Sequence, residues 1–168
     1  MTTLRSTDTC IVHLLLGSNL GDRLTYLSQA IELIISDVGS LQNQSKVYET
    51  EPWGSENQHL FLNQLIIAET ALSPIELLYT TQKIERKIGR AKKSKWSSRV
   101  IDIDILFFEN LQIFTSDLII PHPHISERRF VLKPLDELEP NKVHPTYNMT
   151  ISSLLAACND SLNVEVYG

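Results

Sequence analysis

The residues best suited to chemistry lie in Arg99-Val100-Ile101-Asp102-Ile103-Asp104-Ile105-Leu106-Phe107-Phe108. Ile101, Ile103, Ile105 and Phe107 alternate with Asp102 and Asp104, and in a strand successive side chains point to opposite faces. A strand here presents both carboxylates on one face and sends the isoleucines and Phe107 into the core on the other. Carboxylates at i and i+2 stand about 7 Å apart along a strand. They repel each other and gain little from an apolar sheet. Hard divalent cations would relieve that repulsion, because Mg2+ takes oxygen ligands and commonly sits between one or two carboxylates and a substrate's phosphates. An arbitrary Asp-x-Asp is more often the solvated face of an edge strand. Two features oppose that reading. The flanks are strongly core-like, and a basic stretch (Arg90, Lys92, Lys93, Lys95, Arg99) runs directly into the strand.

The elements around this strand follow from pattern. Cys10 to Leu16 is a nearly continuous apolar run, expected as a strand buried on both faces. It stops at Gly17-Ser18-Asn19-Leu20-Gly21-Asp22, a turn and helix start that matches neither phosphate-loop fingerprint and reads as a tight turn. Apolar residues at helical spacing predict a helix over 22–38, with Gly39 as its C-terminal cap. Leu41 to Thr50 reads as one strand. The loop 51–58 carries Trp53, which serves equally as a lid or as packing. Phe61 to Ala68 reads as a strand containing Asn63, which must be satisfied by neighbouring backbone or recognise a polar ligand.

Ser73-Pro74-x-Glu76 is a capping box that starts a helix running to Gly89, with Gln82 and Glu85 on one face. Leu111 to Phe114 reads as a hairpin return strand. In Pro121-His122-Pro123-His124 the histidines lack a third ligand at zinc spacing, so a phosphate hydrogen bond or a structural role is expected. Ser126 to Leu132 reads as a short helix, Pro134 to Pro140 as a connector, Ile151 to Cys158 as a last helix and Val164 to Tyr167 as an edge strand.

The order β-α-β-β-α-β with additions predicts an α+β, ferredoxin-like (split βαβ) antiparallel sheet with helices packed on one face. At 168 residues the expectation is a single domain over 1–168, frayed over 1–9. The formal net charge of −5 argues against bulk attraction to nucleic acid. No apolar run is long enough to span a bilayer. Cys10 and Cys158 stand far apart and fit free thiols in a reducing cytoplasm.

In their order these blocks make the chain similar to the 6-hydroxymethyl-7,8-dihydropterin pyrophosphokinase family. The matches are Leu16-Gly17-Ser18-Asn19-Leu20-Gly21-Asp22, Tyr48-Glu-Thr50-Glu-Pro52-Trp-Gly54, Phe61-Leu-Asn63 and Gln82-x-x-Glu85. They continue through Gly89-Arg90, Trp96-x-x-Arg99-x-Ile-Asp102-Ile-Asp104-Ile105, Pro121-His122-Pro123 and Arg128-x-Phe130. The resemblance covers about residues 11–140. It implies transfer of pyrophosphate from ATP to the pterin's hydroxymethyl group, with release of AMP, in folate synthesis.

By the same resemblance, Asp102 and Asp104 hold two Mg2+ ions, and Arg90 and Arg99 are catalytic arginines that engage phosphate. Gln82, Glu85, Lys92, Ile105, His122 and Arg128 fall on the ATP side. Thr50, Pro52, Trp53, Phe61, Asn63, Trp96 and Phe130 fall on the pterin side, with the two phenylalanines stacking on the heterocycle and Asn63 reading its amide edge. A cytoplasmic monomer acting on small molecules, with no nucleic-acid or membrane partner, is expected. The chain departs from the family where Trp96-Ser97-Ser98-Arg99 replaces Trp-Gly-Pro-Arg, where Glu51 replaces a frequent Pro, and where Trp53 stands for a smaller apolar residue. Two other readings use some of the same residues. A two-metal nuclease or phosphatase would use the aspartates but leaves Asn63 and the two Phe rings idle. An RNA-binding module would use Trp96 and the basic stretch but has no need of Asp102.

Overall fold

The computed structural model describes residues 8–54, 57–89 and 98–168. Its strands are β1 (Cys10–Ser18), β2 (Gly39–Gln44), β3 (Tyr48–Thr50), β4 (Phe61–Thr70), β5 (Asp102–Phe108), β6 (Ile113–Phe114), β7 (Ile119–Ile120) and β8 (Val164–Val166). Its α-helices are α1 (Arg23–Asp37), α2 (Pro74–Ile88), α3 (Arg129–Leu138) and α4 (Ile151–Ala157). The main sheet runs β5-β1-β4-β3-β8, with β2 also paired to β4, and every pairing is antiparallel. If β2 and β3 count as one broken strand, the order is that of the ferredoxin-like fold, as expected.

The break between β2 and β3 has a local cause. Ser45 substitutes for ladder bonds: its N–H donates to the Leu65 carbonyl and its Oγ accepts from the Leu65 N–H, both at 2.9 Å. The expected single strand over 41–50 is therefore two short strands held to one partner. Gly39 is not a helix cap. Val38 caps α1 and Gly39 opens β2, where an added Cβ would lie 2.0 Å from the Glu69 carbonyl oxygen. Close approach to β4 is what demands glycine there.

The expected capping box is present at α2: Ser73 Oγ accepts from the Glu76 N–H and Glu76 returns a carboxylate to the Ser73 N–H. Both α1 and α2 bury their apolar stripes (Leu27, Ala30, Ile34; Leu77, Ile84) against one sheet face lined by Leu14, Leu16, Ile66, Ile103 and Ile105. The opposite face is not bare, as helices on one face would require. Helices α3 and α4 cover it with Val131, Leu132, Leu135, Ile151 and Leu154, packed on Leu15, Leu65, Leu106 and Phe107.

Phe107 belongs to this second layer, against expectation. The β1–β5 register shifts between His13 and Leu14, opposite Phe107 and Ile105, leaving Leu106 as an extra residue. A bulge of this kind reverses which face later residues take. Helix α3 also overrides its sequence signal. Pro134 lies inside it, although a proline there forfeits one backbone bond. The buried Val131, Leu132 and Leu135 hold the helix through that position. The segment β6 pairs with β7 in a separate two-stranded sheet instead of returning on β5. Among the described residues no helix is long and apolar enough to cross a membrane.

Candidate active site

The second sheet face is only partly covered, and its open end is a cleft of about 500 Å³. The register explains its shape. Gly17 lies between Asp102 on β5 and Asn63 on β4, and Asn63 is opposite Tyr48 on β3. One cross-strand row therefore places a carboxylate, a residue with no side chain and a carboxamide side by side. A Cβ on Gly17 would come within 2.9 Å of Asn63 Oδ1. The floor is low because residue 17 is glycine. One step along the sheet, Asp104 is opposite Leu15, which closes the apolar end of the cleft.

Asn63 and Thr50 are both almost fully buried, and Asn63 Nδ2 donates to Thr50 Oγ1 at 2.7 Å. That bond fixes the carboxamide plane and leaves further donor and acceptor capacity on it. Phe61 and Phe130 supply aromatic walls. The Arg128 guanidinium lies 4.5 Å from the Trp53 ring centroid and 5.8 Å from that of Phe130. Such cation–π contacts hold a cation against an aromatic face. Trp53 therefore packs onto the site as part of its rim, and the Arg128 Nε is buried without a hydrogen-bond partner among the described residues.

The carboxylates are under strain of charge. Removal from water, then the neighbouring Asp102, push Asp104 up to about 7, while Arg128 and Arg99 pull it down. Arg99 Nη1 meets Asp102 Oδ1 at 2.8 Å. Two carboxylates on one face of β5, with Asp104 removed from water, suit a divalent cation. Among the described residues no group of three or more His, Cys, Asp or Glu is placed to hold a metal ion.

His122 is neutral at ordinary pH, because burial and then Arg128 lower its pKa to about 4. Its Nδ1 accepts the His124 N–H at 3.2 Å, which leaves the proton on Nε2 as a donor. The His124 ring lies 5.9 Å from that of His122 and 6.0 Å from that of Trp53.

Of the expected residues, the cleft gathers Thr50, Trp53, Phe61, Asn63, Arg99, Asp102, Asp104, His122, Arg128 and Phe130. Ile105 lines an adjoining recess of about 280 Å³ that shares Asp104 and His122 and includes Leu78, Ser116, Asp117 and Ile119. Gln82 and Glu85 line neither. The buried Glu85 accepts the Ile103 N–H at 2.7 Å, fastening β5 between its two aspartates. Pro52 stands in the loop beside the cleft without lining it. Arg90, Lys92 and Trp96 lie outside the described residues. Gly17, Gln58, Glu51 and His124 line the cleft without having been expected there. Glu51, inside a matched block, and His124, directly after one, carried a signal as polar loop residues. Gly17 was legible as a turn residue inside a matched block, with no site role.

Residues 13–140 match the family model described as 7,8-dihydro-6-hydroxymethylpterin-pyrophosphokinase. The chain is 46% identical over 136 residues to the 2-amino-4-hydroxy-6-hydroxymethyldihydropteridine pyrophosphokinase of Aquifex aeolicus, covering 81% of this chain and 84% of that one. It is 46% identical over 129 residues to the enzyme of that name in Bacillus subtilis, covering 76% and 77%. For the one in Porphyromonas gingivalis the identity is 45% over 139 residues, covering 80% and 94%. Among solved structures, a Plasmodium falciparum HPPK-DHPS triple mutant aligns with a TM-score of 0.76 at 21% identity, covering 91% of this chain and 45% of that one. This chain spans less than half the length of that solved structure, and the likeness speaks for the fold.

Proposed function

The chain belongs to the 7,8-dihydro-6-hydroxymethylpterin-pyrophosphokinase family, and we propose that the cleft floored by Gly17 is where it works. The reaction is pyrophosphoryl transfer from ATP, the family's co-substrate, to the hydroxymethyl group of 6-hydroxymethyl-7,8-dihydropterin in folate biosynthesis. The observation that carries the location is the single row of Asp102, Gly17 and Asn63. It sets a phosphate-side carboxylate beside a pterin-side carboxamide, with room between them for a flat heterocycle and its exocyclic hydroxyl.

In this reading Asn63, oriented by Thr50, hydrogen-bonds the pterin's amide edge, and Phe61 and Phe130 stack on its rings. Such a pair of contacts discriminates strongly against analogues lacking the polar edge. Thr50 and the backbone beside Pro52 add polar contacts, and Trp53 closes the rim. Asp102 and Asp104 are the proposed ligands of Mg2+, which when bound neutralises phosphate charge and lowers the pKa of the attacking hydroxyl. Arg99 and Arg128 donate to phosphate oxygens through their planar forks, and His122 donates from Nε2. The recess with Ile105 takes the nucleoside end of ATP. Arg90, Lys92, Gln82 and Trp96 keep their roles from the family resemblance, and Glu85 acts by fixing β5. Transfer of this kind is mostly positioning and charge neutralisation, which such an array supplies without a side-chain general base. The proposed setting is the cytoplasm, with the chain acting as a monomer.

The test is turnover with defined products. Protein, ATP, Mg2+ and 6-hydroxymethyl-7,8-dihydropterin should consume ATP only when the pterin is present, forming AMP in equal amount to pterin diphosphate. Pterin-independent hydrolysis of ATP, or cleavage of a phosphodiester in its place, would sink the reading.

A further inference from the structure

We infer that Asn19 is a positioning residue that holds Arg99 at the phosphate side of the cleft and couples it to the pterin side. Asn19 sits in the turn after β1 and is 2% exposed. Its Oδ1 accepts the Arg99 N–H at 2.7 Å, and its own N–H donates to the Arg99 carbonyl at 3.1 Å. One residue thus closes both main-chain polar groups of Arg99, as a partner strand would. Its Nδ2 donates to Gln58 Oε1 at 3.2 Å and to the His59 carbonyl at 3.3 Å. Gln58 lines the cleft, and His59 stands two residues before Phe61, the aromatic wall at the start of β4. Arg99 in turn reaches Asp102 through its guanidinium.

The side-chain type follows from these bonds. A planar group with one acceptor and two donors is needed at one end of a short stem, and only asparagine supplies it at that length. Aspartate keeps the acceptor for Arg99 but loses both donors. Alanine takes the acceptor from the Arg99 N–H and the donor from Gln58 and the His59 carbonyl, and keeps only the main-chain bond to the Arg99 carbonyl. Misplacing a phosphate-binding group by about 1 Å can cost on the order of 100-fold in rate. Asn19 touches no reacting atom in this account. It acts through Arg99, and the inference rests on the phosphate-facing role proposed for that arginine.

A double-mutant cycle on kcat tests it, with melting temperature followed in parallel. Asn19→Ala should lower kcat by about 10- to 100-fold in the otherwise unchanged protein and have almost no further effect in an Arg99→Ala background. Asn19→Asp should lose much less kcat than Asn19→Ala while raising the KM for pterin. Equal losses from Asn19→Ala in both backgrounds would overturn the inference, because a general loosening of the turn does not depend on Arg99. If Asn19→Ala folds poorly, a loss of kcat in Asn19→Asp as deep as in Arg99→Ala overturns it equally. Additive losses in a wild-type protein that makes AMP defeat this inference alone. A wild-type protein that makes no AMP defeats the functional reading beneath it.

Discussion

At Asp104 the sign of the electrostatics can be followed to a measurable consequence. Its carboxyl is raised to about 7, first by removal from water and then by Asp102, from an unfolded value of about 3.9. The folded state therefore binds this proton more tightly. The stability it contributes is complete below about pH 4 and is lost as pH rises through 7. In metal-free buffer Asp104→Asn should melt near the wild-type temperature at pH 4 and above it at pH 8. A gap that does not change with pH would contradict the charge argument. The same variant should lose on the order of a thousandfold in kcat/KM, since metal stabilisation is worth several kcal/mol; near-normal turnover would refute the ligand role. Gly17→Ala should push on the Asn63 carboxamide, because the new methyl lies 2.9 Å from its Oδ1. The KM for pterin should rise by about tenfold, with kcat changed less, and an unchanged KM would remove Gly17 from the site. The two residues differ in how far the sequence reveals them. The aspartates were legible because period-2 alternation is a local signal. Gly17 was not, because its meaning arises when β4 and β5 pair on either side of it.

At the scale of elements, the bulge in β5 determines how the second core layer is built. It turns Phe107 toward α3, where His13 and His144 both stand edge-on to its ring at 5.5 Å. His13 Nε2 lies 2.7 Å from Glu139 Oε2 just past the end of α3, and Lys142 lies over Phe107. Burial, reinforced by Lys142, lowers His144 to about 4. An unfolded histidine titrates near 6.5, so between those values the unfolded chain binds more protons. Stability contributed by a neutral His144 is then lost as pH falls from about 6.5 toward 4, by up to about 3 kcal/mol. His144→Asn should therefore be less stable than wild type at pH 7, and the gap should narrow by pH 5. A gap of constant size would mean that His144 is not the group resisting protonation. The capping box of α2 and the apolar stripe of α1 were legible because their signals lie within one or two turns. The bulge, the glycine at position 39 and the persistence of α3 through Pro134 were not. Each is decided by contact with an element far away in the chain: Leu106 by the register with β1, Gly39 by the Glu69 carbonyl, and Pro134 by the layer it packs beneath.

At the scale of the whole molecule, one sheet separates a structural face from a working face. Helices α1 and α2, with Leu118 and Ile120, pack on the first, while α3 and α4 cover only part of the second and leave the cleft at its edge. The carboxylates ride on a strand whose alternate residues, Ile103 and Ile105, are locked in the first core, and Glu85 pins the backbone between them. The arginine opposite is tied down by a turn on the neighbouring strand. Both terminal phosphates must then leave ATP together, as one group aligned over Asp102 and Asp104. The most direct measurement follows the label from ATP carrying 32P at the α or at the γ position. With 6-hydroxymethyl-7,8-dihydropterin and Mg2+, γ label should appear in the pterin product and α label wholly in AMP. Label from the γ position in a pterin monophosphate, with the α label in ADP, would contradict pyrophosphoryl transfer.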